Sequence, residues 1–335
     1  MKKTLVVGPA WVGDMVMAQT LFKLLKQRQP DMRLDVLAPP WTKPLLDRMP
    51  EVNESIDSPF GHGQLHIGSR LRMGKQLRPR GYEHAIVLPN SFKSALVPFW
   101  AGIPRRTGWV GEQRYGVLND LRKLDKSRLP LMVERFMMLG LEKNESLPEK
   151  PQVPALNIST ASVAKTLQHL QLRQSEQPIF ALCPGAEFGP SKRWPTEYYA
   201  EVANEKLSEG WQVWLFGSAK DKTVTDRIDV LTDHRCVNLA GRTQLNEAVD
   251  LLSVATMVVT NDSGLMHIAA ALGRPLVVMY GSTSPDFTPP LSDKVKILSL
   301  KLDCSPCFKR DCPFKHSRCM QDLKPNLVFG AMDSL

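Results

Sequence analysis

The sequence lacks a hydrophobic run long enough to cross a membrane as a helix. Such a helix needs roughly 18 apolar residues, but Asp14 interrupts the first candidate and Arg274 interrupts the stretch over residues 268–280. The apolar start of the chain reaches Gly8 without a small-residue cleavage site, so we predict a first strand there and not a signal peptide. These absences favour a soluble or peripheral protein.

Common nucleotide and nucleic-acid motifs are also missing. The chain has no G-x-x-x-x-G-K-[ST] pattern, and Gly61-His62-Gly63 fails the dinucleotide fingerprint at its third glycine. A P-loop kinase and a standard dehydrogenase are therefore disfavoured. Neither an RNP-like aromatic strand nor zinc-finger spacing is present, which argues against nucleic acid.

What is abundant is positive charge. The 335 residues carry a formal net charge of +9, which favours a polyanion among the substrates or partners. Basic residues gather in the N-terminal half at Arg70, Arg72, Lys75, Arg78, Arg80, Arg105, Arg106 and Arg114. An anionic membrane surface or an acidic glycolipid would suit this asymmetry, and a solvated basic face without a ligand is the alternative.

The pattern of the chain predicts an α/β protein with two Rossmann-like domains. Short β-rich runs alternate with helical patterns in both halves, which indicates parallel sheets with crossover helices. Residues 145–154 are rich in proline and charge and have the composition of a linker. We therefore predict an N-terminal domain over residues 1–155 and a C-terminal domain over 156–335, whose last helix packs back on the first domain.

The first strand ends in a turn that carries Gly13 and Asp14. Open α/β sheets bind their ligands at the carboxyl ends of the strands, so Asp14 is a candidate site residue. The alternative is that Asp14 only caps a helix that begins at Met15.

Two segments of the C-terminal half predict an anion site. Residues 184–195 form a glycine-rich loop with Gly185, Lys192 and Arg193 before a helix, so loop amides and a cation can hold a diphosphate. The alternative is an exposed basic pair beside a buried Trp194. In residues 260–267 (TNDSGLMH) a strand passes through a polar turn into a helix, which offers amides to phosphate. The candidates there are Asp262, Ser263, Gly264 and His267, and the alternatives are a capping box and a core histidine.

Weaker signals come from two further turns and from the tail. Ser218, in the turn over residues 216–221, could contact ribose or phosphate, and residues 280–286 could bind a diphosphate or form a plain loop. The tail contains Cys304, Cys307, Cys312, His316 and Cys319. A structural metal, disulfides and free thiols all remain open, because the gap between Cys312 and Cys319 is wide for zinc.

Four motifs together resemble the bacterial heptosyltransferases of glycosyltransferase family 9. They are residues 8–14 (GPAWVGD), 88–98 (LPNSFKSALVP), 183–195 (CPGAEFGPSKRWP) and 260–267, and they are joined by SPDFTPP at 284–290. The resemblance runs over nearly the whole length. It implies a GT-B fold, with the two parallel sheets facing across a central cleft, an N-terminal acceptor-binding domain and a C-terminal domain for ADP-heptose.

The resemblance also implies an inverting transfer that requires no divalent metal and no cofactor. It makes Asp14 the base and Lys192 the group that stabilises the leaving diphosphate. Donor binding falls to Gly185, Arg193, Ser218, Asp262, Ser263, Gly264 and His267, and acceptor binding falls to Gly13, Asn90, Lys93 and Arg114. Two departures stand out: the family's acidic ribose contact falls near Ala219 or Asp221, and a cysteine-rich tail is not general to the family.

The expected reaction moves L-glycero-D-manno-heptose from ADP-L-glycero-D-manno-heptose to the first heptose of heptosyl-Kdo2-lipid A, at the cytoplasmic face of the inner membrane. Nucleic acid is not an expected partner. The nearest alternatives are transfer to an acceptor without heptose, or use of another nucleotide sugar. A non-catalytic protein that binds polyanions or sugar nucleotides is a more distant alternative, and a nicotinamide oxidoreductase is the most distant.

Overall fold

The computed structural model describes residues 2–61, 64–172 and 176–335. His62 and Gly63 of the rejected dinucleotide pattern lie outside the described residues. The chain divides into two compact units, Met1–Pro154 and Ala155–Leu335. Each unit is built around a six-stranded sheet.

The N-terminal unit has a parallel sheet with strand order β3-β2-β1-β4-β5-β6. Its strands are β1 (Lys3–Val7), β2 (Arg33–Ala38), β3 (Glu54–Asp57), β4 (His84–Val87), β5 (Arg105–Trp109) and β6 (Asp120–Arg122). Its helices are α1 (Val12–Arg28), α2 (Lys43–Leu46), α3 (Ile67–Leu77), α4 (Leu96–Trp100) and α5 (Met132–Met138). One core cluster includes Leu5, Leu37, Ala85 and Leu118.

The C-terminal unit repeats this arrangement with the order β12-β11-β10-β7-β8-β9, again with parallel pairs. Its strands are β7 (Ile179–Cys183), β8 (Gln212–Leu215), β9 (Val237–Asn238), β10 (Met257–Asn261), β11 (Leu276–Met279) and β12 (Val295–Leu298). Its helices are α6 (Thr160–His169), α7 (Thr196–Ser208), α8 (Lys222–Leu231), α9 (Leu245–Ser253), α10 (Gly264–Ala271), α11 (Arg318–Gln321) and α12 (Pro325–Met332).

The strand order of each unit is that of a Rossmann fold, as the sequence predicts. The order reverses between β1 and β4 in one sheet and between β7 and β10 in the other. Such a switch point opens a crevice at the carboxyl ends of the strands, where ligands bind. The central strands read as apolar runs because both their faces are buried; Phe180, Ala181 and Leu182 of β7 are all fully enclosed.

The last helix packs in the core of its own unit. Val328, Ala331 and Met332 of α12 join the cluster that contains Phe180 and Trp194. In the N-terminal unit, the proline-rich segment before Ala155 runs beside α1, because Lys23 donates to the carbonyl of Val153 at 2.7 Å. Within the described part of the chain, no helix is both long and apolar enough to cross a membrane.

Candidate functional site

Asn261, at the carboxyl end of β10, ties this strand to the loop that follows β7. Its Nδ2 donates to the carbonyl of Pro184 at 2.7 Å. Its Oδ1 accepts from the backbone of Trp194 and from the hydroxyl of Tyr199, both at 3.0 Å. Because β7 and β10 flank the switch point of the sheet, this fully buried side chain fixes both ends of the glycine-rich loop at the ligand edge.

Lys192 and Asp262 meet at this edge in a largely buried ion pair. The Nζ of Lys192 lies 2.5 Å from Oδ2 of Asp262, and Thr283, after β11, donates its hydroxyl to the same oxygen at 2.5 Å. The side chain of Asp262 is only 6 % exposed and that of Lys192 is 14 % exposed. The ring of Phe188 lies 5.0 Å from Nζ. Side chains from the loops after β7 and β11 therefore meet at the carboxylate of Asp262, which holds the cation of Lys192 beside it.

The turn after Asp262 forms the N-terminus of α10. Ser263 is the N-cap residue, and its hydroxyl accepts from the backbone of Met266 at 3.4 Å. The capping alternative therefore holds for Ser263 but not for Asp262, whose carboxylate turns to Lys192. Gly264 is the first helical residue, so the amides at this end of α10 add partial positive charge beside the ion pair.

His267, in the first turn of α10, is a core residue in this unit. The residue is 5 % exposed. Burial lowers its pKa to about 4; the nearby Asp262 raises this pKa and Lys192 lowers it further. The imidazole is therefore neutral near pH 7, which fits the core alternative, and it lies beside the ion pair without adding charge there.

Asp221 organises the turn after β8. Its Oδ2 accepts from the backbone amide and the hydroxyl of Ser218, at 3.0 and 2.7 Å, and its Oδ1 lies 3.5 Å from Nη2 of Arg193. The carboxylate also packs against Gly185, where a Cβ atom would lie 2.4 Å from Cγ of Asp221. Asp221 thus binds together Gly185, Arg193 and Ser218, and its carboxylate is occupied within the protein.

In the N-terminal unit, Gly13 and Asp14 lie in the first turn of α1. This helix begins at Val12 and its N-cap residue is Trp11, so the alternative that Asp14 caps a helix from Met15 is wrong. Asp14 is half-buried, at the carboxyl edge of the sheet beside the switch point between β1 and β4. An acid in the first turn also interacts favourably with the helix dipole.

The predicted acceptor residues Asn90, Lys93 and Arg114 lie on loops after β4 and β5. Arg114 is 1 % exposed, and its guanidinium donates to the carbonyls of Pro89 at 2.6 Å and Trp109 at 2.5 Å. It also lies 3.4 Å from Oδ1 of Asn90. Burial lowers the pKa of Arg114 to about 10. The structure thus places Arg114 inside the loop that presents Asn90.

Several other basic residues of the N-terminal half have structural partners. Arg70 is buried against the ring of Phe60, with 4.0 Å between its Cζ and the ring centroid. Arg80 pairs with Glu54 at 2.7 Å. Arg105 pairs with Asp120 and Glu142 at the amino end of β5, opposite the ligand edge. Arg72 and Lys75 are exposed on α3, so part of the basic charge of this half faces solvent and part has partners within the protein.

Two contacts at the site could not be recognised from motifs alone. Thr283 belongs to a turn that reads equally well as a plain loop, and Asn261 reads as the last residue of a strand. The only signal for either is position, since Asn261 ends β10, which borders the switch point, and Thr283 follows the neighbouring strand β11. Chain pattern does not show which carboxylate a threonine hydroxyl will reach.

Known proteins share this architecture and much of this sequence. Residues 70–318 match the model of glycosyltransferase family 9 (heptosyltransferase). Lipopolysaccharide heptosyltransferase 2 of Escherichia coli K12 is 50 % identical, over 99 % of this chain and 98 % of its own length. Lipooligosaccharide heptosyltransferase 2 of Haemophilus influenzae is 51 % identical over 88 % of each chain.

Solved structures of this family have the same fold as this chain. The structure of Escherichia coli ADP-heptose LPS heptosyltransferase II matches with a TM-score of 0.88 and 47 % identity, over 100 % of this chain and 98 % of that one. A family 9 glycosyltransferase from Veillonella parvula matches with a TM-score of 0.85 at 18 % identity, over 99 % and 96 % of the two chains, which shows the fold alone. This chain belongs to glycosyltransferase family 9, the heptosyltransferases, and is a glycosyltransferase with the GT-B fold.

Proposed function

We propose that this enzyme transfers L-glycero-D-manno-heptose from ADP-heptose to the first heptose of heptosyl-Kdo2-lipid A. The observation that carries the proposal is the Lys192–Asp262–Thr283 cluster at the N-terminus of α10. A cation and the N-terminal amides of a helix at the switch point of a Rossmann sheet fit a diphosphate. The heptosyltransferase 2 relatives, at 50 % identity over nearly the whole chain, support a lipopolysaccharide acceptor, and the solved ADP-heptose LPS heptosyltransferase II supports this donor.

In the proposed donor complex, Lys192 and the α10 amides neutralise the charge that develops on the leaving ADP. Both hydrogen bonds to Asp262 that the structure describes use Oδ2. We assign Oδ1 of Asp262 to a heptose hydroxyl, with the ion pair holding Lys192 in place until the diphosphate arrives. Lys192 and the helix N-terminus together make a divalent metal unnecessary for leaving-group departure.

The reaction inverts the anomeric centre. The acceptor hydroxyl attacks C1 of the heptose, the bond from C1 to the phosphate oxygen breaks, and ADP leaves with the bonding electrons. The hydroxyl proton passes to the carboxylate of Asp14, which acts as general base. Gly13, Asn90 and Lys93 bind the acceptor, and Arg114 acts on it by holding the Asn90 loop.

The acceptor also explains where the enzyme works. Lipid A is anchored in a bilayer, so the chain acts in the cytoplasm at the surface of the inner membrane. Exposed basic residues such as Arg72 and Lys75 favour an anionic surface, where each contributes about 1 kcal/mol.

The test is release of ADP from ADP-L-glycero-D-manno-heptose with two acceptors, Kdo2-lipid A with and without the first heptose. Release only with the heptosylated acceptor supports the proposal. Release with the unheptosylated acceptor alone would assign the chain to addition of the first heptose. No release with either acceptor would refute heptosyl transfer by this chain.

A further inference from the structure

The segment between β12 and α11 is long and has no core of its own. Residues 299–317 contain no helix or strand, and none of their side chains is buried. Phe308 and Phe314 are 51 % and 62 % exposed. Irregular segments longer than about 12–15 residues are uncommon in compact domains and have a special reason. Leu300 packs against the core of the unit, but no side chain of residues 301–317 belongs to that cluster, so another interaction is needed to hold them.

Four thiols surround one small cavity in this segment. Cys304, Cys307, Cys312 and Cys319 line a cavity of about 10 Å³, together with Ser191 and Ser282. This volume is close to that of one water-sized sphere. All four cysteines are free thiols. Their placement answers the objection from spacing, because the turn between Cys312 and Cys319 brings the fourth thiol to the same cavity.

The turn that closes this gap is tight. Lys315 and Ser317 both adopt left-handed backbone conformations, with φ of 59° and 45°. The amide of Ser317 donates to Sγ of Cys312 at 3.4 Å. His316 uses its Nδ1 to accept from the amide of Arg318 at 3.1 Å and stacks on Phe314. His316 also lines the cavity, but the four cysteines are its soft sulfur donors.

This cysteine segment contacts two loops of the donor site. The hydroxyl of Ser191 donates to the carbonyl of Lys309 at 2.6 Å, and the Ser191 amide donates to the carbonyl of Arg310 at 3.1 Å. The amide of Phe308 donates to the carbonyl of Ser282 at 2.7 Å. Ser191 precedes Lys192 and Ser282 precedes Thr283, so the segment holds the backbone beside both partners of Asp262.

From these observations we infer that the thiolates of Cys304, Cys307, Cys312 and Cys319 bind one thiophilic divalent metal ion, Zn²⁺ or Fe²⁺. Four sulfur ligands in tetrahedral geometry are typical of these ions. Within the described residues, no group of three or more histidine, cysteine or acidic side chains could hold a metal ion as these side chains now lie. Binding therefore requires the thiols to turn into the cavity that they line, with release of their protons.

The first experiment measures metal content in the full-length chain, purified under reducing conditions, by elemental mass spectrometry. We compare the parent with Cys304→Ser/Cys307→Ser and with the control Cys236→Ser, which alters a half-buried thiol outside the cavity. We expect about one Zn²⁺ or Fe²⁺ ion per chain in the parent and the control. The double variant should lose it. The element that is detected distinguishes Zn²⁺ from Fe²⁺. Replacement of the ion by Co²⁺ should give the charge-transfer absorption that is typical of thiolate ligands.

A second measurement keeps the inference testable if the double variant fails to fold. Thiol titration of the native parent should show four protected cysteines that react after a chelator removes the metal. A metal-free parent whose cavity thiols react at once would overturn the inference. The inference would also be overturned if the intact mass of the parent were lower by the two hydrogens that are lost when a disulfide forms.

A kinetic comparison then tests the link to the donor loops. Metal removal should lower kcat more than it raises KM for ADP-heptose, because the ion acts through the position of Lys192, which stabilises the charge that develops on the leaving ADP. This comparison alone rests on the proposed function, whereas metal content and thiol protection do not. An inactive parent with bound metal would refute the proposed function and leave the metal site standing, while unchanged kinetics after metal removal would refute the positioning role.

Discussion

Gly185 and Asp221 fit together only while position 185 has no side chain, since a Cβ there would lie 2.4 Å from Cγ of Asp221. The carboxylate cannot easily move aside, because Ser218 donates to it twice. The backbone of Gly185, just after β7, is thus in direct contact with the carboxylate of Asp221. This contact leads to the first prediction.

Gly185→Ala should lower the free energy of unfolding by about 1–3 kcal/mol, the usual effect of adding a methyl group to a packed site. It should also raise KM for ADP-heptose, because Asp221 orients Ser218 and Arg193. The matched control is Gly330→Ala in α12, where the added methyl meets open space. That change should be neutral or stabilising by up to about 1 kcal/mol. Urea unfolding and donor kinetics measure both, and equal behaviour of the two variants would contradict the packing argument.

Lys192→Met should lower kcat by about 10²–10³-fold, the usual loss when one preorganised donor to a developing negative charge is removed. Steady-state ADP release measures this effect. Lys220→Met is the control, because Lys220 pairs with Glu187 nearby but is 74 % exposed. A surface pair of this kind contributes little, so its kcat should stay near the parent value. Similar losses in both variants would show that general charge, and not Lys192 itself, matters.

Asp14→Asn should lower kcat by about 10²–10⁴-fold through loss of the general base. Binding of ADP-heptose, measured by calorimetry, should stay unchanged, because the residues assigned to the donor lie in the other unit. Asp31→Asn removes the same charge at an exposed position and should leave kcat unaltered. A parent-like kcat in Asp14→Asn would move the search for the base to another residue.

Arg114→Met and Lys93→Met should separate a structural role from a direct one. Arg114 is buried and donates to two carbonyls, so its loss should cost about 1–3 kcal/mol of unfolding free energy. Acceptor KM should rise as the Asn90 loop loosens. Lys93→Met should raise acceptor KM while stability stays within about 0.5 kcal/mol. Thermal unfolding and acceptor titration measure both, and a stable Arg114→Met variant would refute the structural role.

His267 should make the fold sensitive to mild acid. Its pKa in the folded state is lowered to about 4 from an ordinary 6.5, so between these values the unfolded chain binds a proton that the folded chain does not. The contribution of His267 to the free energy of unfolding is therefore fully present above pH 6.5 and decreases as the pH falls from 6.5 to about 4. Below about pH 4 the decrease stops, and the total loss is up to about 3 kcal/mol. Unfolding from pH 7 to 4 should show a shallower dependence in His267→Gln than in the exposed control His234→Gln. Equal slopes would contradict the assignment.

The sequence pattern predicts the sheets well because fully buried strands leave long apolar runs. Apolar residues mark a buried strand such as β7, but β5 is hidden because it begins with Arg105 and Arg106. In the folded chain, Arg105 forms an ion pair with Asp120, and Arg106 donates to backbone carbonyls. Composition likewise cannot distinguish a basic residue that faces solvent from Arg70, which lies on an aromatic ring.

At the site, motifs predict which residues gather but not how they pair. Lys192 and Asp262 belong at one edge because both follow strands at the switch point. Their ion pair depends on the exact course of the loop from Pro184 to Trp194, which Asn261 and the cysteine segment fix through long-range contacts. Such contacts join residues far apart in the chain, so local pattern carries no record of them.

The division between Pro154 and Ala155 leaves each unit with a complete sheet and a core of its own. A substitution in one core therefore need not disturb the other. Under the proposed function, the first half can diversify toward new core saccharides while the second half keeps the loops that hold ADP-heptose. The architecture thus allows one sugar donor to serve a changing set of acceptors, and it makes the junction at residue 154 a natural point for exchanging halves between relatives.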